Sequence, residues 1–94
     1  MIRGYGDSRT RKFALGQRVK QFEPFRRQAE RTLDRLEAAI SLADVANFPG
    51  HRLEKLKGDR SGTYSVRIND QWRACFDWPE GSNGPENVTI EDYH

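Results

Sequence analysis

The sequence ends with an acid, a phenol and an imidazole on three successive residues, Asp92, Tyr93 and His94. An imidazole titrates near neutral pH, so His94 is suited to protonate a leaving group, and a nearby carboxylate favours its protonated form. Terminal residues commonly fray in water, but fraying does not explain an aromatic side chain at this place. These three residues are therefore candidates for proton-transfer chemistry.

A pair of arginines, Arg67 and Arg73, lies in two segments whose alternating apolar and polar residues predict neighbouring strands. Ile68 and Trp72 share the apolar face only if three residues form the turn between these strands. Arg67 and Arg73 then lie near each other on the opposite, open face, where like charges repel. A bound anion between them would remove the repulsion; alternatively, Glu91 of the last predicted strand neutralises an arginine.

Further cations come from residues 47–62, where Lys55, Lys57 and Arg60 precede the first of these strands. The proline and glycines of this segment predict a loop. Long loops in small proteins are commonly functional or disordered. The loop cations strengthen the prediction that the open face binds an anion.

The positive charge of the chain is concentrated towards its N-terminus. Residues 1–35 contain ten Lys/Arg and four Asp/Glu, whereas residues 36–94 contain six and ten, which leaves a net charge of +2. This asymmetry indicates a polyanionic partner, and Arg9, Arg11 and Lys12 are the cations assigned to it. The other interpretation is a solvated helix face, because surface helices are rich in arginine.

The length and composition allow one small domain, assigned to residues 1–94. Hydrophobic residues make up 35% and charged residues 32%, so the core must be thin and must rely on aromatic side chains. The single cysteine excludes an internal disulfide and fits a reducing compartment. No apolar run is long enough for a bilayer span or a signal peptide, so we expect a cytoplasmic protein without a membrane partner.

The spacing of apolar residues predicts a strand, two helices and three further strands. The first strand covers residues 2–6, and a short helix begins at Asp7 or Ser8 and ends near Leu15. A longer helix is predicted over residues 22–45, and its apolar stripe consists of Phe25, Ala29, Leu33, Leu36 and Ile40. This order predicts an α+β fold with two N-terminal helices packed on one face of a small, mostly antiparallel sheet.

A metal site is conceivable, because Asp92, His94 and His51 offer acid and imidazole ligands. Their spacing matches no closed zinc pattern, however, and a second cysteine is missing. We therefore expect neither a metal ion nor another cofactor.

The segment RLEKLKGDRSGTYSVRINDQWRACF, together with the final EDYH, resembles the HigB toxins of the wider RelE family. The Leu-x-x-Leu-Lys-Gly-Asp loop, the Tyr-Ser-Val-Arg strand, the Trp-Arg pair and the last Asp-Tyr-His carry the resemblance. The match is sharp from about Arg52 onward and extends over the chain in length and element order. It implies a compact RelE-like RNase fold and a toxin of a type II toxin–antitoxin system.

This resemblance also implies an activity and partners. The activity would be ribosome-dependent cleavage of messenger RNA, which inhibits translation. The partners would be the ribosome with its mRNA and a HigA-like helix-turn-helix antitoxin. Operator DNA would be reached only indirectly, through the antitoxin.

The resemblance further assigns site residues. The motif positions of the family fall on Lys57, Arg73, Asp92, Tyr93 and His94. This chain departs from the family at one position, because it has Glu54 where related toxins can place a histidine. The departure leaves the identity of the general base open.

These residue types support RNA cleavage without a metal, by attack of a 2′-hydroxyl on the adjacent phosphate. The reaction needs a base for the hydroxyl, cations for the phosphorane and an acid for the leaving 5′-oxygen. Lys57 and Arg73 are the expected cations, and His94 is the expected acid. Glu54 is the expected base, with His51 as the alternative.

Tyr93 is expected to stack on a splayed base or to order the 2′-hydroxyl. The remaining cations are expected to bind RNA: Lys55, Arg60, Arg67, Arg9, Arg11 and Lys12. Two other functions are compatible with the residues alone. One is a nucleic-acid-binding module without catalysis, and the other is a domain that binds an acidic protein through its basic helices.

Deletion of His94 tests whether the tail takes part in the chemistry. We expect a nearly unchanged melting temperature, because a terminal side chain buries little surface. We also expect severely slowed cleavage of ribosome-bound mRNA, because the leaving oxygen then lacks its acid. Single-turnover cleavage is the measurement, and full activity of the deletion variant would return the tail to an ordinary chain end.

Overall fold

The computed structural model describes residues 1–92, in which helices pack on one face of a four-stranded antiparallel sheet. The helices are α1 (Ser8–Ala14), α2 (Arg26–Ala38) and α3 (Leu42–Ala46). The strands are β1 (Glu54–Lys55), β2 (Thr63–Arg67), β3 (Trp72–Asp77) and β4 (Glu86–Asp92), in the spatial order β1-β2-β3-β4. Two short 3₁₀ helices are also present, at Lys20–Phe25 and Gly58–Arg60. The predicted α+β class and antiparallel sheet are confirmed.

Alternation along the strands decides which side chains enter the core. The strand residues buried against the helices are those predicted from the alternation: Val66, Ile68, Ala74, Phe76, Val88 and Ile90. Tyr64 and Trp72 are partly buried against the same cluster. A one-residue slip of any strand would turn its apolar side chains to the other face, so burial fixes the register.

Aromatic rings fill the space between the helices and the sheet. Phe22 is fully buried, and its ring centroid lies 5.4 Å from that of Phe13 and 5.7 Å from that of Trp72. Phe25 stacks on Trp72 at 4.9 Å. Because each ring buries a large area, four rings compensate for the shortage of aliphatic residues.

The turn between β2 and β3 contains three residues, as predicted. Arg67 pairs with Arg73, and the amide of Ile68 donates to the carbonyl of Trp72 at 3.0 Å. The side chain of Asn69 closes the turn by accepting hydrogen bonds from the amides of Gln71, at 2.9 Å, and of Trp72, the first residue of β3, at 2.8 Å. An asparagine suits this position because its side chain caps its own turn.

The predicted long helix is wrong in its extent, because the chain forms two helices there. Ala39 is extended, with φ −72° and ψ 136°, and Ser41 caps α3 by accepting a hydrogen bond from the amide of Asp44 at 3.2 Å. Asp44 in turn accepts a hydrogen bond from the amide of Ile40, the residue before the cap, at 3.0 Å, so both side chains hold the chain at the start of α3. Ile40 is therefore 72% exposed instead of belonging to the apolar stripe.

The predicted first strand is reduced to a single parallel bridge between Tyr5 and Val88. Gly4 and Gly6 flank the bridge and exchange backbone hydrogen bonds with Val88 at 3.0 and 2.9 Å. A Cβ atom on Gly6 would lie 2.6 Å from the side chain of Thr89, so glycine is needed for this close approach. The two glycines thus allow the chain to lie beside β4 without forming a longer strand.

Helix α1 is capped and docked by two short polar side chains. Asp7 accepts a hydrogen bond from the amide of Thr10 at 2.8 Å and begins the helix, as predicted. Thr10 is fully buried, and its hydroxyl accepts a hydrogen bond from the amide of Ile90 at 3.0 Å. This contact attaches α1 to the outer edge of β4. Within residues 1–92, no helix has the length and apolar character needed to cross a membrane.

Thr10→Val keeps the shape of the side chain and removes the acceptor for the buried Ile90 amide. We expect the free energy of unfolding to fall by about 1–3 kcal/mol, the cost of an unpaired buried donor. Thr32→Val is the matched control, because the Thr32 hydroxyl donates to a backbone carbonyl of the same helix, α2, at 3.0 Å and, among the described residues, joins no other element. Equal losses for the two variants in urea unfolding would contradict a docking role for Thr10.

Candidate functional site

The sheet face opposite the helices carries polar side chains in two rows across β2, β3 and β4. The registers pair Ser65 with Cys75 and Cys75 with Thr89 in one row. They pair Arg67 with Arg73 and Arg73 with Glu91 in the other row. The predicted orientation of both arginines away from the core is confirmed.

This face is partly covered, although the sequence predicts an open one. The chain before β2 lies along the edge of that strand, where the amide of Arg67 donates to the carbonyl of His51 at 2.6 Å and the amide of Leu56 donates to that of Thr63 at 2.8 Å. These residues supply the hydrogen-bond partners that the edge of β2 needs. The loop that follows reaches over the polar face as far as β4, where Arg60 contacts Glu91, and Ser65 on this face is fully buried.

Arg73 lies beneath this cover and is only 8% exposed. Its Nε donates to the Ser65 hydroxyl at 2.8 Å, and its Nη2 donates to the carbonyls of Arg52 at 2.8 Å and Ser65 at 3.2 Å. Burying a charge is costly unless such acceptors surround it. Arg52 takes up a left-handed backbone conformation, with φ 47°, at the place where its carbonyl meets the guanidinium.

Glu54 and its neighbour Lys55 lie on opposite sides of β1. Glu54 pairs with Ser65 and therefore faces the site, where its Oε2 lies 3.9 Å from Nη2 of Arg73. The Glu54 side chain is 56% exposed, so an RNA hydroxyl can reach it. Lys55 pairs with Tyr64 and lines a separate groove that also contains Trp78. Alternation along the strand thus turns Lys55 away from the face that Glu54 occupies, although the sequence groups Lys55 with the other loop cations.

Lys57 is exposed at the start of the 3₁₀ helix, after which the chain turns through Gly58 with φ 67°. Arg60, at the end of this helix, binds Glu91 with two parallel hydrogen bonds of 2.8 and 2.9 Å. The Thr89 hydroxyl donates to the same carboxylate at 2.6 Å. The sequence offered neutralisation by Glu91 as the alternative for Arg67 or Arg73, but Glu91 pairs with the loop residue Arg60 instead.

Arg67 forms an ion pair with Asp70 in the turn, and its hydrogen bond to that carboxylate lowers the pKa of Asp70. The chain itself therefore supplies acceptors to both arginines of the row, Arg67 and Arg73. An anion bound between them stays a prediction, and the repulsion that suggested it is already relieved within the protein.

The cations of α1 have different environments. Arg9 is half-buried, and its guanidinium lies over the rings of Phe22 and Trp72 at 5.1 and 5.7 Å. Arg11 and Lys12 are exposed in the last turn of the helix, where cations also suit the negative end of the helix dipole. Their assignment to RNA binding stays a prediction.

The last described residue, Asp92, ends β4 at the rim of the sheet, and alternation puts it on the side of Trp72 instead of that of Arg73. It pairs with Trp72, and its carboxylate accepts a hydrogen bond from the Gln71 side chain at 2.9 Å. Tyr93 and His94, the predicted stacking residue and acid, lie outside the described residues.

His51, the alternative base, is 1% exposed. Its Nδ1 lies 2.9 Å from the carbonyl of Val45, and within residues 1–92 its Nε2 has no hydrogen-bond partner. Burial lowers the pKa of His51, and the positive charge of Arg35 lowers it further. A histidine in this position holds the loop to α3 and is closed to substrate, so the geometry favours Glu54 as the base.

Ser65 is the site residue that reasoning from the sequence missed. It is the main hydrogen-bond acceptor of Arg73 from a neighbouring strand. Alternation along β2 could have identified it, because Ser65 and Arg67 share one face of the strand. A small polar residue on that face leaves room for a guanidinium.

Comparisons with known proteins agree with the motifs. Residues 7–94 match the family described as the RelE-like toxin of type II toxin–antitoxin system HigB. Toxin HigB-1 of Vibrio cholerae serotype O1 is 41% identical over 51 residues, and the alignment spans about half of each chain, 54% of both. Endoribonuclease HigB of Proteus vulgaris is 33% identical over 67 residues, which are 69% of this chain and 71% of that protein.

Two solved structures share the fold. The YoeB–YefM complex from Staphylococcus aureus superimposes with a TM-score of 0.62 at 20% identity, over 100% of this chain and 98% of that one. The YoeB dimer from the same organism gives a TM-score of 0.60 at 22% identity, over 99% and 94%. At these identities the likeness concerns the fold alone.

The carboxylate of Glu91 gives the site a testable pH dependence. Hydrogen bonds from Arg60 lower its pKa from 4.5 to about 2. A carboxylate with a lowered pKa stabilises the fold above its unfolded pKa, and this contribution is lost as the pH falls through the folded pKa. The stability advantage of the wild type over Glu91→Gln should therefore be constant near neutral pH and shrink between pH 4.5 and about 2.

Urea unfolding at a series of pH values measures this difference. Glu80→Gln, at an exposed carboxylate after β3, is the control for the loss of one acid. A wild-type advantage over Glu91→Gln that persists at the lowest pH would show that the Arg60 pair does not stabilise the folded chain.

Proposed function

Because the chain belongs to the HigB family of RelE-like toxins of type II toxin–antitoxin systems, we propose that it is an endoribonuclease that cleaves messenger RNA on the ribosome. Such cleavage inhibits translation, which makes the protein a toxin. The observation that carries the proposal is the position of the exposed carboxylate of Glu54, 3.9 Å from the guanidinium of Arg73, on the face where β4 ends. The relative from Proteus vulgaris is named an endoribonuclease, which supports the same activity here.

The proposed reaction is attack of a 2′-hydroxyl on the adjacent phosphorus. Glu54 takes the hydroxyl proton, the bond from phosphorus to the 5′-oxygen breaks, and His94 gives a proton to that oxygen. The products are a 2′,3′-cyclic phosphate and a 5′-hydroxyl end. Lys57 and Arg73 balance the negative charge that develops on the phosphorane. Each role falls to a side chain of this protein, so the proposed mechanism needs no metal ion.

The two cations contribute to this reaction in different ways. Lys57 is exposed and flexible, so it approaches the phosphate as a mobile point charge. Arg73 is held in place by Ser65 and by the carbonyl of Arg52, so its charge is fixed before the substrate arrives. A fixed charge costs no reorganisation during the reaction, which is the advantage of a preorganised site.

The expected partner is an antitoxin, because type II toxins belong to toxin–antitoxin pairs. The fold is also found in a toxin bound to another protein, the YoeB–YefM complex. We propose that the antitoxin is a HigA-like helix-turn-helix protein that connects the toxin to operator DNA. The ribosome and mRNA are the proposed targets, and action on them takes place in the cytoplasm.

Cleavage of mRNA on purified ribosomes tests the activity, the site and the nucleophile together. We expect defined 5′-hydroxyl ends within the reading frame and no cleavage when a single 2′-deoxynucleotide replaces the attacking nucleotide. Binding to ribosomes without cleavage would instead indicate a non-catalytic nucleic-acid-binding module. Binding to neither ribosomes nor RNA would indicate a protein-interaction domain.

Lys57→Ala should lower the single-turnover cleavage rate by about 100-fold or more, the loss expected for one donor to a transition-state oxyanion. The fold should be unaffected, because the Lys57 side chain is exposed. Arg31→Ala removes the same charge from an exposed position of α2 and should keep near wild-type activity. Equal rates for the Lys57 and Arg31 variants would remove Lys57 from the site.

A further inference from the structure

The candidate site is assembled from two segments that the sheet holds apart. One is the segment that carries Glu54 and Lys57, and the other is the end of β4 at Asp92. β1 pairs with β2, whereas β4 pairs with β3 at the other side of the sheet. The segment therefore reaches β4 only by crossing the polar face of the strands between them.

Within residues 1–92, the backbone hydrogen bonds that join this segment to the sheet end at Leu56, whose amide donates to the carbonyl of Thr63. The 3₁₀ hydrogen bonds that follow are local, because they join Arg60 to Lys57 and Ser61 to Gly58. Such local bonds shape a turn but do not fix its place above a sheet.

The Arg60–Glu91 pair makes the missing long-range connection, and we call it the clamp. Its two parallel hydrogen bonds of 2.8 and 2.9 Å fix the guanidinium in plane with the carboxylate, which adds geometric specificity. The hydrogen bond from Thr89 orients the carboxylate, and the buried Cys75 pairs with Thr89 in the neighbouring row. The Glu91 side chain is 29% exposed, so salt screens this pair less than a fully exposed one.

The clamp is placed where it controls the distance between the two halves of the site. Arg60 follows Lys57 by three residues, and Glu91 immediately precedes Asp92. Glu91 also lies directly opposite Arg73 in the register of β3 and β4. We propose that the Arg60–Glu91 clamp is a positioning device that holds the loop of Lys57 and the end of β4 at the separation that RNA cleavage requires.

This inference rests on the proposed endoribonuclease function and assigns Arg60 a different part in it. Two carboxylate oxygens bind both terminal nitrogens of Arg60, so the side chain is engaged within the protein instead of being presented to a phosphate. Arg60 is then a positioning residue that acts through Lys57. Glu91, which on charge alone would repel RNA, acts in favour of cleavage.

A double-mutant cycle of Arg60→Ala and Glu91→Ala tests the clamp by single-turnover cleavage of ribosome-bound mRNA. Each single substitution should lower the rate by about 100-fold, the scale of a 1 Å misplacement, without weakening the affinity for ribosomes. The double variant should be no slower than either single variant, because both remove the same interaction. Arg26→Ala, which removes an exposed arginine–carboxylate pair of α2, is the control and should leave the rate unchanged.

Three outcomes of this cycle would overturn the inference. Additive losses would show that the two residues act independently. Weaker ribosome binding by Arg60→Ala, with unchanged or tighter binding by Glu91→Ala, would show that Arg60 contacts RNA directly. The melting temperature gives the folded fraction of each variant. A cleavage rate that falls only in proportion to this fraction would show that the clamp stabilises the fold without positioning the site.

Amide hydrogen exchange separates a failure of the clamp from a failure of the proposed function. Breaking the clamp should speed exchange at residues 57–61 and leave β3 unchanged, whether or not the protein cleaves RNA. Unchanged exchange at residues 57–61 in both single variants would overturn the clamp. A wild-type protein that does not cleave, but whose loop exchange depends on Glu91, would overturn the endoribonuclease proposal and retain the clamp as the element that holds the loop.

Discussion

The buried guanidinium of Arg73 is the constraint on which the site depends. A charge in the middle of a sheet is tolerated only when fixed acceptors surround it, and here Ser65 and the carbonyl of Arg52 supply them. The carbonyl of Arg52 can do so because the chain before β2 lies along the edge of that strand. The same edge pairing brings Glu54 to the arginine, so one segment supplies both a fixed acceptor and the candidate base.

The two faces of the sheet have different roles: one stabilises the fold and the other carries the polar side chains of the candidate site. One face is closed by aromatic rings and helices, which supply the apolar burial that a chain with 32% charged residues can offer. The other face is polar, and its charges are matched within the chain: Arg67 by Asp70 and Arg60 by Glu91. Because stability is concentrated in the first face, the second is free to carry reactive groups.

This division fits an enzyme that must present charge to RNA without binding every anion. A buried arginine that is already hydrogen-bonded offers a fixed positive potential, while the exposed Lys57 and Glu54 remain accessible. A histidine in this loop suggests proton transfer to a substrate, but His51 has a structural role. It is buried beside α3 and supports the loop, whereas the carboxylate three residues later faces the solvent.

The sequence by itself determined the α+β class, the apolar faces of the strands and the three-residue turn, because alternation and turn length are local properties of the chain. It also determined the family, through motifs between Arg52 and the final residues. The apolar spacing indicated neither the break after Ala38 nor the reduction of the first strand to a single bridge, although Ser41 and Asp44 make local hydrogen bonds at the start of α3. Only the tertiary structure decided which charges meet: Arg60 with Glu91, Arg73 with Ser65, and Lys55 away from the site. The physical reason is that charge pairing depends on how a loop crosses a sheet, and the 31 residues between Arg60 and Glu91 carry no periodic signal of that contact.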